Sequence, residues 1–493
     1  MKVSMNKALS IIVSVVMLLT IVIGCSNNNE AGEKTTAPSN NAASSAPASE
    51  ETNVYPDNGL SAKVEVKLKL GFWENGYGRE WIDNAISKFT EKYPNVKFDV
   101  TYSPKIMDLI STKIAAKNDD DMFDIISPAF NSKAEKVQVI QAGLFEEVTD
   151  LWDRVLPDSN GRTFRELVPK GTFEFAEQYN GKFYEIPMGG STVGLFYDKA
   201  LFEKNGWNEN PKTWEEFLQL MADIKSKGII PITYPGVYPS YLSFAFGIKQ
   251  FEIAEKNGNL EEFTKRFRKS ELPIYTSVEN KEIWTRIYEM GKLGYFPPGV
   301  AALNHTQSQM QLLQHKAALG ATGDWVQNEM KDSIPDGFKW GYMAIPFSST
   351  PGDTIWIENY IGAGGIMIWK NKSDLIKNWA KEFIVFLLSN DIQAYNNKSA
   401  GIYPIRKDFL DNPDNIKEMQ DAPKAIMEFS KNNNIQLGLT SKEVIIEGPI
   451  AAQADKLATE MINDAASGKK DPLPVLEEAE KLIERAVKET AKK

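Results

Sequence analysis

Chemistry in this chain has to be done with aromatic rings, carboxylates and amides, because little else is present. Of 493 residues one is cysteine and two are histidine. A single thiol excludes an internal disulfide and a cysteine-based metal site. His305 and His315 match no ligand spacing and read as ordinary helix or loop residues. Aromatic residues are plentiful, with 11 Trp, 17 Tyr and 25 Phe, and several stand beside hydrogen-bonding groups. Trp73-Glu74-Asn75 sets an indole, a carboxylate and an amide in a row. Phe130-Asn131 repeats the combination. Tyr234, Tyr238 and Tyr241 fall in a stretch broken by Pro235, Gly236 and Pro239, so they cannot all be regular core positions. Aromatic planes beside polar groups suit a non-covalent ligand that has apolar faces and a polar rim.

Other clusters read as structure. Asp119-Asp120-Asp121 lacks the spaced carboxylates of a calcium loop and reads as a solvated turn. Gly362, Gly364 and Gly365 are not followed by the Gly-Lys-Ser/Thr of a phosphate loop. Lys plus Arg number 56 against 66 Asp plus Glu, a net charge of -10, which argues against a nucleic-acid partner because a phosphate backbone needs a basic face. No catalytic group and no cofactor or metal site is expected.

The elements that must position these residues alternate. Val64, Val66, Leu68, Leu70 and Phe72 mark a strand ending at Trp73. A helix with Trp81, Ile82, Ala85, Ile86 and Phe89 inward follows, then a strand at 96–100, a helix at 108–116 and a short strand at 124–126. That order predicts a parallel sheet with right-handed crossovers, whose ligands bind beyond the carboxyl ends of the strands. Trp73-Glu74-Asn75 and Phe130-Asn131 lie at those ends. Later, Thr213 and Glu216 form a capping box for a helix carrying Trp214, Phe217, Leu218, Met221 and Ile224. Ser373 starts another helix, and the last helix runs from Pro474.

The amino terminus reads as an address. Lys2 and Lys7 precede an apolar run from Ala8 to Gly24, short of the ~20 residues of a membrane helix and ending in small residues, as a signal peptide does. Thr20-Ile21-Val22-Ile23-Gly24-Cys25 resembles a bacterial lipobox, which implies cleavage before Cys25 and its diacylation. Residues 26–61, rich in Ser, Asn, Ala, Pro and Thr, have little to bury and read as a flexible tether.

Several further segments resemble, in order, the extracellular solute-binding proteins of carbohydrate ABC importers, the maltose-binding type. They are Tyr179 to Pro187, Gly194 to Phe202, Asn205-Gly206-Trp207, Pro211 to Phe217, Lys316 to Leu319, Gly323-Asp324-Trp325, Gly364-Gly365 and Gly401 to Pro404. The resemblance they carry covers about residues 62 to 493. Gly228 to Tyr241 resembles the branch that binds N-acetylglucosamine and chitobiose.

The resemblance implies an α/β fold of two lobes, the periplasmic-binding-protein architecture, with a multi-crossing hinge and an interlobe cleft. The expected organisation is a signal peptide over 1–24 and a lipidated tether over 25–61. The first lobe takes 62–190 and 355–408, the second 191–354 and 409–493. Gly189, Gly190 and Ser191 are expected at the first crossing, where tandem glycine permits a dihedral change. A return crossing is expected within 348–353 and a third after Arg406. Asp324 and Trp325 stand where the family often stacks an aromatic on a sugar ring. Trp356, Glu358, Asn359 and Tyr360 are expected beside the return crossing, facing the cleft. The implied function is capture of an oligosaccharide by a monomer lipid-anchored outside a bacterial cell membrane, and its delivery to permease subunits. A surface glycoside hydrolase also needs aromatics and carboxylates, at one of two fixed carboxyl separations, but no such pair stands out. A ligand sensor for a membrane receptor is the third reading.

Overall fold

The computed structural model describes residues 53–130, 133–169, 172–361, 365–438 and 442–490. Cys25, the leader and most of the tether lie outside the described residues, as does Asn131.

From Asn53 onward the chain forms one compact unit containing two sheets. The first has the order β2-β1-β3-β9, from β1 (Val66–Trp73), β2 (Val96–Ser103), β3 (Ile125–Ser127) and β9 (Met367–Ile368). β1 pairs parallel with β2 and β3, as the alternation of strand and helix requires, and β9 joins antiparallel. Both faces are covered. Ile125 enters a core with Leu68, Phe72, Phe89 and Trp379, while the next residue, Ile126, enters a separate one with Ile106, Ile110 and Trp369. Successive strand residues point to opposite faces, so this short strand carries apolar residues at both 125 and 126.

The second sheet is mixed, with β10 (Ile435–Gly438), β8 (Ile355–Ile361), β4 (Gly190–Asp198), β6 (Ala317–Gly323) and β5 (Ile230–Thr233) in that order; β7 (Trp340–Met343) also pairs with β4. β4 is its spine and is buried along its whole length. Residues 190–192 pair with 359–361 of β8, and 193–197 pair with 319–323 of β6. The helix Trp214–Ser226 packs here through Phe217, Leu220, Met221 and Ile224. The Thr213 side chain accepts from the Glu216 N–H, but the Glu216 carboxylate reaches back one residue further than a standard box, to the Lys212 N–H at 2.7 Å.

Two expected boundaries move. The folded body begins before residue 62: Tyr55 packs edge-on to Tyr93 and Trp379 and donates to Asn95 Oδ1 at 2.8 Å. Leu60 packs on the same core, and Asp57 accepts from Tyr93 and pairs with Lys92, so three side chains anchor a segment of otherwise polar composition. The return crossing does not lie within 348–353. Ser348 O accepts from Trp214 N at 2.9 Å, and Phe347 O from Arg286 Nη1 at 2.9 Å, which keeps that turn in the second lobe. The return begins at the end of β8, whose residues 359–361 pair with 190–192 at the first crossing, and Ile366 pairs with Ile186. Residues 355–361 therefore belong to the second sheet. The third crossing lies, as expected, after Arg406, between Asp408, bound by Arg162 and Arg406, and Ala422, which enters the core of the second lobe with Leu195, Phe217 and Leu319.

β8 is fixed by a buried ion pair. Lys249 Nζ donates to Glu252 Oε2 at 2.9 Å and to Trp356 O at 2.6 Å, and Glu252 accepts from Phe347 N at 2.6 Å and Trp356 N at 3.2 Å. Both side chains are buried, and desolvation pulls the Lys249 ammonium below its ordinary range. Lys249→Met leaves the Glu252 charge buried without its cation, and the expected loss is about 3–5 kcal/mol. Urea unfolding of the variant checks this; a loss below about 1 kcal/mol would show that solvent reaches the pair.

Candidate functional site

Three segments of chain run side by side where the two sheets meet. Gly190 pairs with Ile361 and also with Tyr403, whose carbonyl accepts from Gly190 N at 2.8 Å. Gly189 is glycine for space rather than for backbone freedom: a Cβ there would sit 2.3 Å from Ile402 Cγ2. The sequence reading of this tandem as a source of dihedral freedom is thus replaced by a packing demand. Gly189, Gly190 and Ser191 do lie at a crossing.

Asp324, just past the end of β6, ties that crossing to the first lobe. Tyr77 reaches from the loop after β1 and donates to Asp324 Oδ1 at 2.7 Å; Ser191 Oγ donates to the same oxygen at 2.9 Å and Thr192 N to Oδ2 at 3.2 Å. Asp324 is fully buried. Desolvation raises its pKa to about 7, against the hydrogen bonds of Tyr77, Ser191 and the backbone that favour the anion. The acids facing it are tyrosines, Tyr77, Tyr342 and Tyr403, each pushed upward by burial. Asp324 is thus a structural clamp rather than a ligand-facing carboxylate.

Trp325, next in sequence, is half-buried and stands between the lobes. Its ring meets Tyr77 edge-on at 6.2 Å on one side, and Tyr241 at 6.5 Å and Phe244 at 6.0 Å on the other. The loop residue Gly76 passes so close that a Cβ would lie 3.1 Å from Trp325 Cδ1. Asn328 Nδ2 donates to Gly76 O at 3.0 Å, and Glu329 accepts from Gln309 at 2.6 Å. Tyr238, 48 % exposed, stacks on His305 at 4.2 Å, and Tyr241 meets His305 at 4.8 Å. Burial pushes the His305 imidazole below its ordinary value, so it is neutral at pH 7. The result is a wall of Trp325, Tyr241, Phe244, His305 and Tyr238, edged by the carboxylate of Glu329 and the amide of Asn328.

The remaining candidates divide. Trp73 and Phe130 are half-buried and pack on the smaller core of the first lobe, on the side carrying the strand ends; Glu74 is exposed. Asn75 Oδ1 accepts from Tyr77 N at 3.0 Å, bracing the turn that aims Tyr77 at Asp324. No hydrogen bond or ring contact joins Trp73 or Phe130 to the Trp325 wall among the described residues. Tyr234 leaves the set: its ring is fully buried and its hydroxyl donates to Asn463 at 2.8 Å. Trp356 leaves it too, at 9 % exposed, stacked on Phe251 at 5.3 Å and donating to Glu255 at 2.7 Å. Glu358 is buried on the same strand. The strand expected to run along the crossing does so only at 359–361, so Trp356 falls on the outer packing of the second lobe. The side chains of Asn359 and Tyr360 lie outside the described set.

Tyr77, His305, Gln309, Asn328 and Glu329 were not foreseen. His305, Ser308, Gln309 and Leu312 do lie at helical spacing on one face of the helix His305–Leu313, a signal available in the sequence. Nothing local marks Tyr77, whose partner is 247 positions away.

The raised pKa of Asp324 gives a pH prediction. The folded protein keeps a proton up to about 7, whereas the unfolded chain releases it near its ordinary value of about 3.9. Stability from this group is therefore greatest below the unfolded value, falls as pH rises towards 7, and is constant above it. In Asp324→Asn that slope is absent. The melting temperature of wild type minus variant, followed from pH 4 to pH 8, is expected to fall by an amount on the order of a few kcal/mol once converted to free energy. A difference that does not vary with pH would mean that Asp324 titrates as an exposed carboxylate does.

Comparison with known proteins supplies a frame for this geometry. Residues 75–394 match the family described as bacterial extracellular solute-binding protein. A diacetylchitobiose binding protein of Streptomyces coelicolor is 24 % identical over 285 residues, 57 % of this chain and 58 % of that relative's own length. Among solved structures, a chitin oligosaccharide binding protein superposes with a TM-score of 0.64 at 18 % identity, covering 86 % of this chain and 99 % of the other. The raffinose complex of the binding protein RafE gives 0.63 at 16 % identity, with 85 % and 99 % covered. These likenesses show the fold, that of two-lobed α/β binding proteins of the maltose-binding type. By the family match over most of its folded body, the chain belongs to the bacterial extracellular solute-binding proteins.

Proposed function

We propose that this protein captures an oligosaccharide outside the cell and presents it to an ABC importer, with chito-oligosaccharides as the preferred class. The observation that carries the reading is the aromatic wall around Trp325, edged by Glu329 and Asn328 and standing where the lobes meet. Sugar rings present apolar C–H faces to such planes and hydroxyls to such carboxylates and amides. A ligand touching both lobes favours the closed arrangement by its differential contacts. The similarity to a diacetylchitobiose binding protein and a chitin oligosaccharide binding protein supports the choice of class. Binding residues on this reading are Trp325, Tyr241 and Tyr238 from the second lobe and Trp73, Glu74 and Phe130 from the first, with Gly189 to Ser191 in the hinge. The chain performs no catalysis.

Calorimetry against chito-, malto- and cello-oligosaccharides tests the reading. Trp325→Ala is expected to weaken binding at least thirtyfold, the effect of losing about 2 kcal/mol from an anchoring aromatic. Retained affinity in a folded Trp325→Ala would remove the wall from the site.

The anchor is proposed on the sequence of residues 1–61. Cys25 carries the lipid, which holds the folded body at the membrane surface. The expected result for Cys25→Ser is release from the membrane fraction. A variant processed at Gly24 yet still membrane-bound would refute the anchor.

A further inference from the structure

Behind Tyr241 the second lobe contains a small niche with three polar atoms that have no hydrogen-bond partner among the described residues. They are His305 Nε2, Gln309 Oε1 and Thr322 Oγ1. Gln309 and Thr322 are more than nine-tenths buried, so each of these atoms carries a desolvation cost that a water or a polar group of a ligand offsets. Leu312 and Ala321 complete the lining with apolar surface.

The chemistry of an occupant follows from these groups. Gln309 Nε2 is committed to Glu329, which leaves Oε1 facing the niche as an acceptor only. Thr322 Oγ1 can donate, and so can neutral His305. An occupant must therefore both donate and accept at one atom. The free space is that of one oxygen atom. A carbonyl oxygen would oppose Gln309 Oε1, and an ammonium would bring a charge to a niche with no counter-charge. Water satisfies every partner, and so does the ligand hydroxyl that would displace it. Its carbon would rest against Leu312 and Ala321, so the group is a hydroxyl on a short arm rather than one held directly on a ring.

We infer that this niche is a specificity subsite that receives the exocyclic hydroxymethyl group of a bound hexose, through Gln309, Thr322 and His305. The inference rests on the oligosaccharide reading and deepens it. The niche adjoins the wall through Tyr241, which lines both. It also joins the lobe contact, because Gln309 holds Glu329, whose carboxyl carbon stands 3.5 Å from the Cβ position of Gly76. A sugar stacked on the wall with its hydroxymethyl arm in the niche would be fixed in rotation about the stacking axis. Stacking alone cannot do that, because an aromatic face has no polar direction in its own plane.

The test uses pairs of glycans that differ in this group alone: N,N′-diacetylchitobiose against its 6-deoxy analogues, and cellobiose against xylobiose. Titration calorimetry on the full folded protein is expected to show at least a tenfold preference for the member bearing the hydroxymethyl oxygen. In Thr322→Val, close to isosteric and suited to a strand, the preference is expected to shrink to less than threefold while the weaker member binds as before. Circular dichroism melting confirms that the variant is folded. Equal wild-type affinity within each pair, or a preference that survives in Thr322→Val, overturns the niche while leaving oligosaccharide binding intact. If no glycan in the set binds wild type, the oligosaccharide reading itself falls and takes the subsite with it.

Discussion

A carboxylate buried where two lobes meet must be surrounded by donors, and that requirement organises the centre of this protein. Asp324 is taken out of water at the end of β6 and met by the hydroxyls of Tyr77 and Ser191 and the N–H of Thr192. Tyr77 belongs to the first lobe and the other two to the crossing, so one side chain holds three pieces of chain that are remote in sequence. A buried polar group of this kind specifies an arrangement because any other arrangement strands it. Gly189 lets the Ile402–Tyr403 segment approach closely enough to pair. Asn75 braces the turn that delivers Tyr77.

The candidate site follows from that arrangement. With Asp324 fixed, Trp325 packs half-buried on the first lobe's core and stands between Tyr77 and the Tyr241–Phe244 pair. The second lobe's other buried charges support the frame from behind. Lys249 and Glu252 fix β8 against its helix, and β8 in turn pairs with the first residues of β4 at the crossing. Rigid lobes joined by a narrow three-segment crossing are the geometry in which ligand contacts across a cleft convert into lobe rotation.

Much of this was legible in the chain. The alternation of Val66, Leu68, Leu70 and Phe72, the helix face of Trp81 and Phe89, and the capping residue Thr213 are local signals whose physics acts within a few residues. The ordered segments from Tyr179 to Pro404 marked the family, and the family match covers residues 75–394. The site was legible in part. Trp325 and Tyr241 were named and stand together, whereas Tyr234 and Trp356 were named and turn out to be packing residues. An aromatic beside a polar residue looks the same in sequence whether its ring fills a core or lines a wall.

By itself the sequence determined the two kinds of element, their order, the parallel pairing of the first sheet and a leader-like amino terminus, because periodicity, capping and composition are written in neighbouring residues. Only the tertiary structure decided where the chain returns to the first lobe, which aromatics stay accessible, and that Asp324 is a clamp rather than a ligand contact. It also brought Tyr77 to a partner 247 positions away and gathered His305, Gln309 and Thr322 into one niche. Each of these depends on which surfaces are removed from water when distant segments pack together, and burial is a property of the whole fold that no short stretch of residues encodes.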